Sequence, residues 1–244
     1  MTDQIDGRYL AQEMPKILLY PRLIEPAEKR DRDGNLTGKR AYSVDFMADP
    51  NDPDLEPLRK LACSLINSVF PDKVVTAKNL AKASGTPVTY ASLLATLSTV
   101  GIGHPFEDGT ARADAAAEKG KPREEQRGKI IFKAQKPELK KDGVTKLHPP
   151  RLGALENGRI VQFDTADKRA LNAHKFFQGA EAYFEVTLAT YTGFGGGVTA
   201  YINDVLVNGA GTAFGSGPSM TEKFNKVHGS VSTVNPIDDD EIPF

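Results

Sequence analysis

The chain has 244 residues, 39% hydrophobic and 26% charged, which suits one sizeable core in an ordinary soluble composition. No run approaches the roughly 18 apolar residues of a membrane span, and the acid-bearing opening MTDQIDGRYL lacks the apolar stretch of a secretion signal, so a cytoplasmic protein without a membrane partner is expected. The formal net charge of -1 hides an asymmetry: four acids sit in the last seven residues, whereas segment 119–151 holds eleven bases against four acids, a pattern that points to a polyanionic partner and a tail that competes with it.

Residues 16–24 (KILLYPRLI) read as a first strand, Asp33-Gly34 as a turn, and 40–48 (RAYSVDFMA) as the returning strand of a hairpin. The Pro-rich, acidic ADPNDPDLEP is a solvated loop leading into a helix; its acids lack the spacing and glycine of an EF-hand, and no metal is expected there. Leu55, Leu58, Leu61, Leu65 and Val69 recur at helical spacing and predict one amphipathic helix over 55–70. Cys63, the single cysteine, falls within that pattern and reads as core; alone it makes neither a disulfide nor a paired-cysteine metal site.

Residues 72–125 are Ala-rich and broken by Gly and Pro, which reads as a partly helical insertion ending in a polar, mobile stretch, ARADAAAEKGKPREEQRGK. Strand signals resume at 129–134, 159–164, 182–191 and 198–207, about six strands in all. The expected fold is therefore mainly β, a small barrel or sandwich with one packed helix. Domain 1–214 is followed by a Gly/Ser/Asn-rich linker at 215–237 and a tail at 238–244, expected to be disordered.

No catalytic set emerges. The four histidines lack metal-ligand spacing, GFGGG (193–197) has no Walker lysine and reads as a flexible hairpin turn, and no cofactor is expected. A nuclease would need acids clustered around a metal.

What does stand out is cations interleaved with flat rings. Lys16 and Arg22 flank Tyr20, Lys39 and Arg40 precede Tyr42, and Lys129 and Lys133 flank Phe132, which is equally compatible with core. On 182–191, Phe184, Val186 and Leu188 form a core face, leaving Tyr183, Glu185, Thr187, Ala189 and Tyr191 on the other. Cations track phosphates and rings stack on unpaired bases, so the pattern suits single-stranded nucleic acid. The candidate contacts are Lys16, Arg22, Lys39, Arg40, Lys129, Lys133 and Arg151 for phosphates. Tyr20, Tyr42, Tyr183, Tyr191 and Phe194, at the tip of the glycine turn, are the candidate stacking rings. Asp238, Asp239, Asp240, Glu241, Ile242, Pro243 and Phe244 form a partner-binding peptide: a ring for a pocket behind four acids for a basic rim.

This last segment resembles the tail of bacterial single-stranded DNA-binding proteins, an acid run followed by Ile-Pro-Phe. The body resembles the phage family of single-stranded DNA-binding proteins, of which T7-type phages carry a distant relative. The matching stretches are Tyr20-Pro21-Arg22-Leu23 with Glu25-Pro26, Lys39–Asp45, Lys129–Lys136, Pro149-Pro150-Arg151-Leu152, and Phe177–Val207. The resemblance implies an OB-fold, sequence-tolerant binding and protection of single-stranded DNA in phage replication and recombination, and recruitment of replication proteins by the tail. A strand-annealing recombination protein and an RNA-binding OB module are the alternatives.

Overall fold

The structure, a computed structural model, describes residues 6–30, 35–140, 142–193 and 195–214. The linker from 215 onward, the tail 238–244 and Phe194 lie outside the described residues.

The first hairpin is longer than its sequence signal. Strand β1 spans Asp6–Arg30 and β2 spans Leu36–Ala48. β1 is long because it bends at register shifts and serves two partners, pairing with β2 from Ile17 onward and with a late strand through Asp6–Ile17. Helix α1, Leu55–Val69, buries Leu55, Leu58 and Leu65 as the leucine spacing predicts, leaves Leu61 and Val69 half-buried, and adds Ala62 and Ile66 to the buried face. Cys63 is buried beside them, and burial pushes its thiol up to about 12, so it stays protonated and inert.

The insertion is more ordered than its composition suggests. It forms α2 (Pro71–Ala83), α3 (Tyr90–Thr99), a short strand β3 (Phe106–Asp108) and α4 (Gly109–Ala117). Helix α3 starts at a reciprocal cap between Thr89 and Ser92 and buries Leu93, Leu94 and Leu97. The polar stretch after Asp108, expected to be mobile, is stitched to itself: Arg127 pairs with Asp114 and Glu124 at 2.6 Å each, and Gly109 N donates to Lys129 O at 2.9 Å.

Then follow β4 (Ile130–Pro137), a hairpin of β5 (Arg151–Glu156) and β6 (Arg159–Gln162), helix α5 (Ala166–Leu171), β7 (Ala180–Tyr191) and β8 (Gly197–Gly211). The described residues thus hold eight strands, with β3 and β5 added to the expected set. The sheet runs β3-β4-β2-β1-β7-β8-β5-β6, and a parallel pairing of Gln135 with Tyr201 joins β4 to β8. That pairing closes β1, β2, β4, β8 and β7 into a five-stranded barrel. A three-strand meander, a parallel closing pair and an antiparallel return are the connectivity of the OB-fold. The interior is a Phe cluster: Phe46 stacks on Phe184 at 4.0 Å between ring centroids, and Phe132 sits 5.7 Å from Phe184. Phe132, 2% exposed, is therefore core.

The GFGGG segment is a docked turn rather than a loose one. Gly195 and Gly196 have φ of 90° and 83°, where only glycine is unstrained. Gly196 O accepts from Gly103 N at 2.9 Å, and a side chain at Gly196 would strike the Phe70 ring. The turn thereby ties the barrel to the insertion.

Candidate nucleic-acid interface

The strands of the barrel place the predicted cations in two different settings. Against the β2–α1 loop and the insertion they are neutralised. Lys16 is 2% exposed and forms ion pairs with Asp52 at 2.9 Å and Asp54 at 2.7 Å. Asp54, at the start of α1, makes no capping bond and instead accepts from Lys16 and from the Tyr9 hydroxyl at 3.1 Å. Lys16 is thus a structural cation, and its expected phosphate contact is withdrawn: a buried ammonium between two carboxylates has no surface to offer a strand. Lys129 pairs with Asp49, and Lys133 with Glu107. Tyr20 has φ of 49° and is flanked by two guanidiniums, Arg112 at 5.4 Å and Arg123 at 4.7 Å from its ring, while its hydroxyl accepts from Gln126 at 3.0 Å. Both cation contacts of this ring come from the insertion.

The other side of the barrel carries an open cleft of about 910 Å³. It is lined by β7, β8, β5 and β6, with Arg169 of α5 reaching in. Its cations are Arg8, Lys136, Arg151 and Arg169; its acids are Glu185, Asp204 and Asp164; Tyr183, Ile160 and Leu206 give it flat and apolar surface. The floor is cross-linked: Asn203 donates to Glu185 at 3.1 Å and to Thr187 at 2.9 Å, and Arg8 pairs with Glu185 at 2.7 Å. Arg151 forks onto Asp204, which strengthens the proton hold of its guanidinium, yet its side chain stays 70% exposed. Ile160, 63% exposed, stands at the rim.

Of the predicted contacts, the cleft therefore gathers Arg151 and Tyr183. Arg22 and Lys39 are exposed on the first hairpin, where Arg40 pairs with Glu138 at 3.5 Å and donates to Pro26 O at 2.8 Å. Tyr42 is half-buried under the Arg169 guanidinium, 5.9 Å from its ring, and burial raises its pKa. Tyr191 lies eight residues from Tyr183 along β7, about 26 Å away, and its hydroxyl faces Gly103 of the insertion. The two tyrosines do not form one platform. The face they were assigned to is also not wholly outward: Glu185 and Ala189 are buried, and the strand register shifts between Glu185 and Val186.

Sequence reasoning missed Arg8, Lys136 and Arg169. Lys136 lies in the basic segment 119–151, but Arg169 sits in ADKRAL with no aromatic neighbour, and only the fold carries it to the cleft.

No protein-family model matches the chain, and no curated protein does. Solved structures that resemble it include the following. The single-stranded DNA-binding protein from bacteriophage Enc34 aligns over 89% of this chain and 87% of its own, at 15% identity and a TM-score of 0.47. A C-terminal truncation of that protein gives 86%, 88%, 14% and 0.48. The gp2.5 single-stranded DNA-binding protein encoded by bacteriophage T7 gives 96%, 99%, 14% and 0.49. Among the described residues no helix is long and apolar enough to cross a membrane.

Proposed function

We propose that this protein binds and protects single-stranded DNA with little sequence preference during phage DNA replication and recombination, in the cytoplasm of the infected cell. The observation that carries this reading is the cleft itself. A groove on an OB barrel brings Arg8, Lys136, Arg151 and Arg169 against Tyr183, so cations for phosphates and a ring for a base share one surface. Arg22, Lys39 and Arg40, exposed on the first hairpin, extend the positive track. Segment 238–244 is the recruiting peptide in this proposal: Phe244 enters a pocket on a replication protein and its acids meet a basic rim.

A competition of labelled oligo-dT against RNA, duplex DNA and unlabelled oligo-dT tests the reading, with and without Mg²⁺. Unlabelled oligo-dT is expected to compete best, and the affinity to fall steeply with salt. Duplex competing equally well would reject the proposal, RNA competing better would favour an RNA-binding module, and rapid pairing of complementary strands would favour an annealing protein. Deleting 238–244 is expected to leave oligo-dT affinity equal or higher while removing capture of a replication protein; weaker DNA binding would contradict a competing tail.

A further inference from the structure

The cleft contains cations that no carboxylate among the described residues pairs with. β8 is edged first by β4, at Tyr201, and then by β5, from Asp204 onward. Between these pairings β4 parts from β8 while staying paired with β2, and Lys136, opposite Tyr42, is the residue just after the contact with β8. Arg151 opens β5 on the far side of the same gap. Arg169 reaches in from α5 and donates to Pro150 O at 3.0 Å and Leu23 O at 2.8 Å. Three cations thus converge where the seam changes strands.

Arg151 has Asp204. Among the described residues Lys136 and Arg169 have no carboxylate in ion-pair contact, and Arg169 is only 7% exposed. Burial lowers the pKa of both, and the neighbouring Arg151 and Arg169 lower that of Lys136 further, against a raising pull from Asp204. An uncompensated, desolvated cation costs stability unless something pairs with it. A guanidinium has five N–H donors, and Arg169 places two of its nitrogens on carbonyls, which leaves donors over.

We propose that Lys136 and Arg169, with Arg151 at the rim, form a seat for one phosphate group. This rests on the DNA-binding reading for its natural ligand, a backbone phosphodiester. The seat gives the cleft a fixed point: one phosphate is held at the seam, and the adjoining nucleotide reaches the Tyr183 ring. A planar guanidinium beside an ammonium suits a tetrahedral oxyanion and is indifferent to the base.

The test uses the full chain and K136Q, with K136R as the conservative variant and Y183A as the contrast. Probes are oligo-dT, an abasic oligomer of equal length, and inorganic pyrophosphate. K136Q is expected to bind both oligomers about tenfold more weakly and to lower the slope of log K against log salt by about 0.7, with K136R restoring both. Y183A is expected to lose affinity for oligo-dT and not for the abasic oligomer. K136Q is also expected to melt no lower than the parent, since it removes an unpaired cation. Unchanged affinity and slope in K136Q, while Y183A weakens oligo-dT binding, would overturn the seat and leave the DNA reading standing. If the parent ignores oligo-dT at low salt, the DNA reading falls. A rise in Tm with pyrophosphate that K136Q abolishes would then support the seat as a small-anion site, and no rise would overturn it too.

Discussion

The two sides of the barrel treat positive charge in opposite ways. Against the β2–α1 loop and the insertion, Lys16, Lys129 and Lys133 each meet a carboxylate, and two guanidiniums flank Tyr20. Across the cleft, Lys136 and Arg169 meet none among the described residues, and Tyr183 stands half-open. Cations alternating with rings therefore mark two distinct things in one chain: an internal joint between barrel and insertion, and a surface with charge left for another molecule. What separates them is whether the fold delivers an acid, and the acids come from remote segments, Asp49, Asp52, Asp54 and Glu107.

The contrast is sharpest at Lys16. Lys16→Ala would leave Asp52 and Asp54 buried without their cation, and is expected to cost about 3–5 kcal/mol of stability, read by urea unfolding, while the folded protein binds oligo-dT as before. Weaker DNA binding at unchanged stability would move Lys16 to the ligand side. Next is Tyr183→Ala, expected to weaken oligo-dT binding by about 1–3 kcal/mol with little change in Tm. Tyr20→Ala should show the reverse, a lower Tm and near-parental affinity, by fluorescence anisotropy. Lys133→Gln removes only a surface pair with Glu107 and is expected to change stability by about 1 kcal/mol or less and DNA affinity within twofold. A large affinity loss there would bring the insertion face into the binding surface.

The smallest effect concerns His104. Its Nδ1 accepts from Phe106 N at 3.3 Å and its Nε2 lies 3.0 Å from Leu94 O, an arrangement for the neutral ring. Burial lowers its pKa below the ordinary 6.5. The unfolded chain therefore takes up the proton first as pH falls, so this contribution is whole above about 6.5 and drains away below it. Urea midpoints at pH 7.5 and 5.5 (both about, to bracket the window) are expected to fall with acid, less so in His104→Gln.

Much of the barrel was legible because its strands alternate. Phe184, Val186 and Leu188 are all buried as their spacing predicts, and the leucines of α1 face the core. The insertion was less legible because its order comes from tertiary contact. Thr89 before Ser92, with Leu93, Leu94 and Leu97, is a short helix signal lost among Gly and Pro breaks, and the polar stretch after Asp108 is fixed by ion pairs that periodicity does not register. Hairpin β5–β6 showed only its second strand, because β5 carries no β-branched residue and owes its place to pairing with β8. In the site, Arg151 was found through its basic segment and Tyr183 through strand alternation, whereas Arg169 requires knowing that α5 returns to the seam.

The pairing of Asp6 with Ala189 has a consequence during synthesis. The opening segment of β1 leaves the ribosome long before β7 exists. At about 5–20 residues per second, it waits on the order of ten to forty seconds with one edge unmatched. Until then the nascent chain can pair β1, β2, β4 and β3, form the helices and fold the β5–β6 hairpin, but it cannot close the barrel. The barrel closes late, because both its β1–β7 and its β4–β8 pairings need the last two strands.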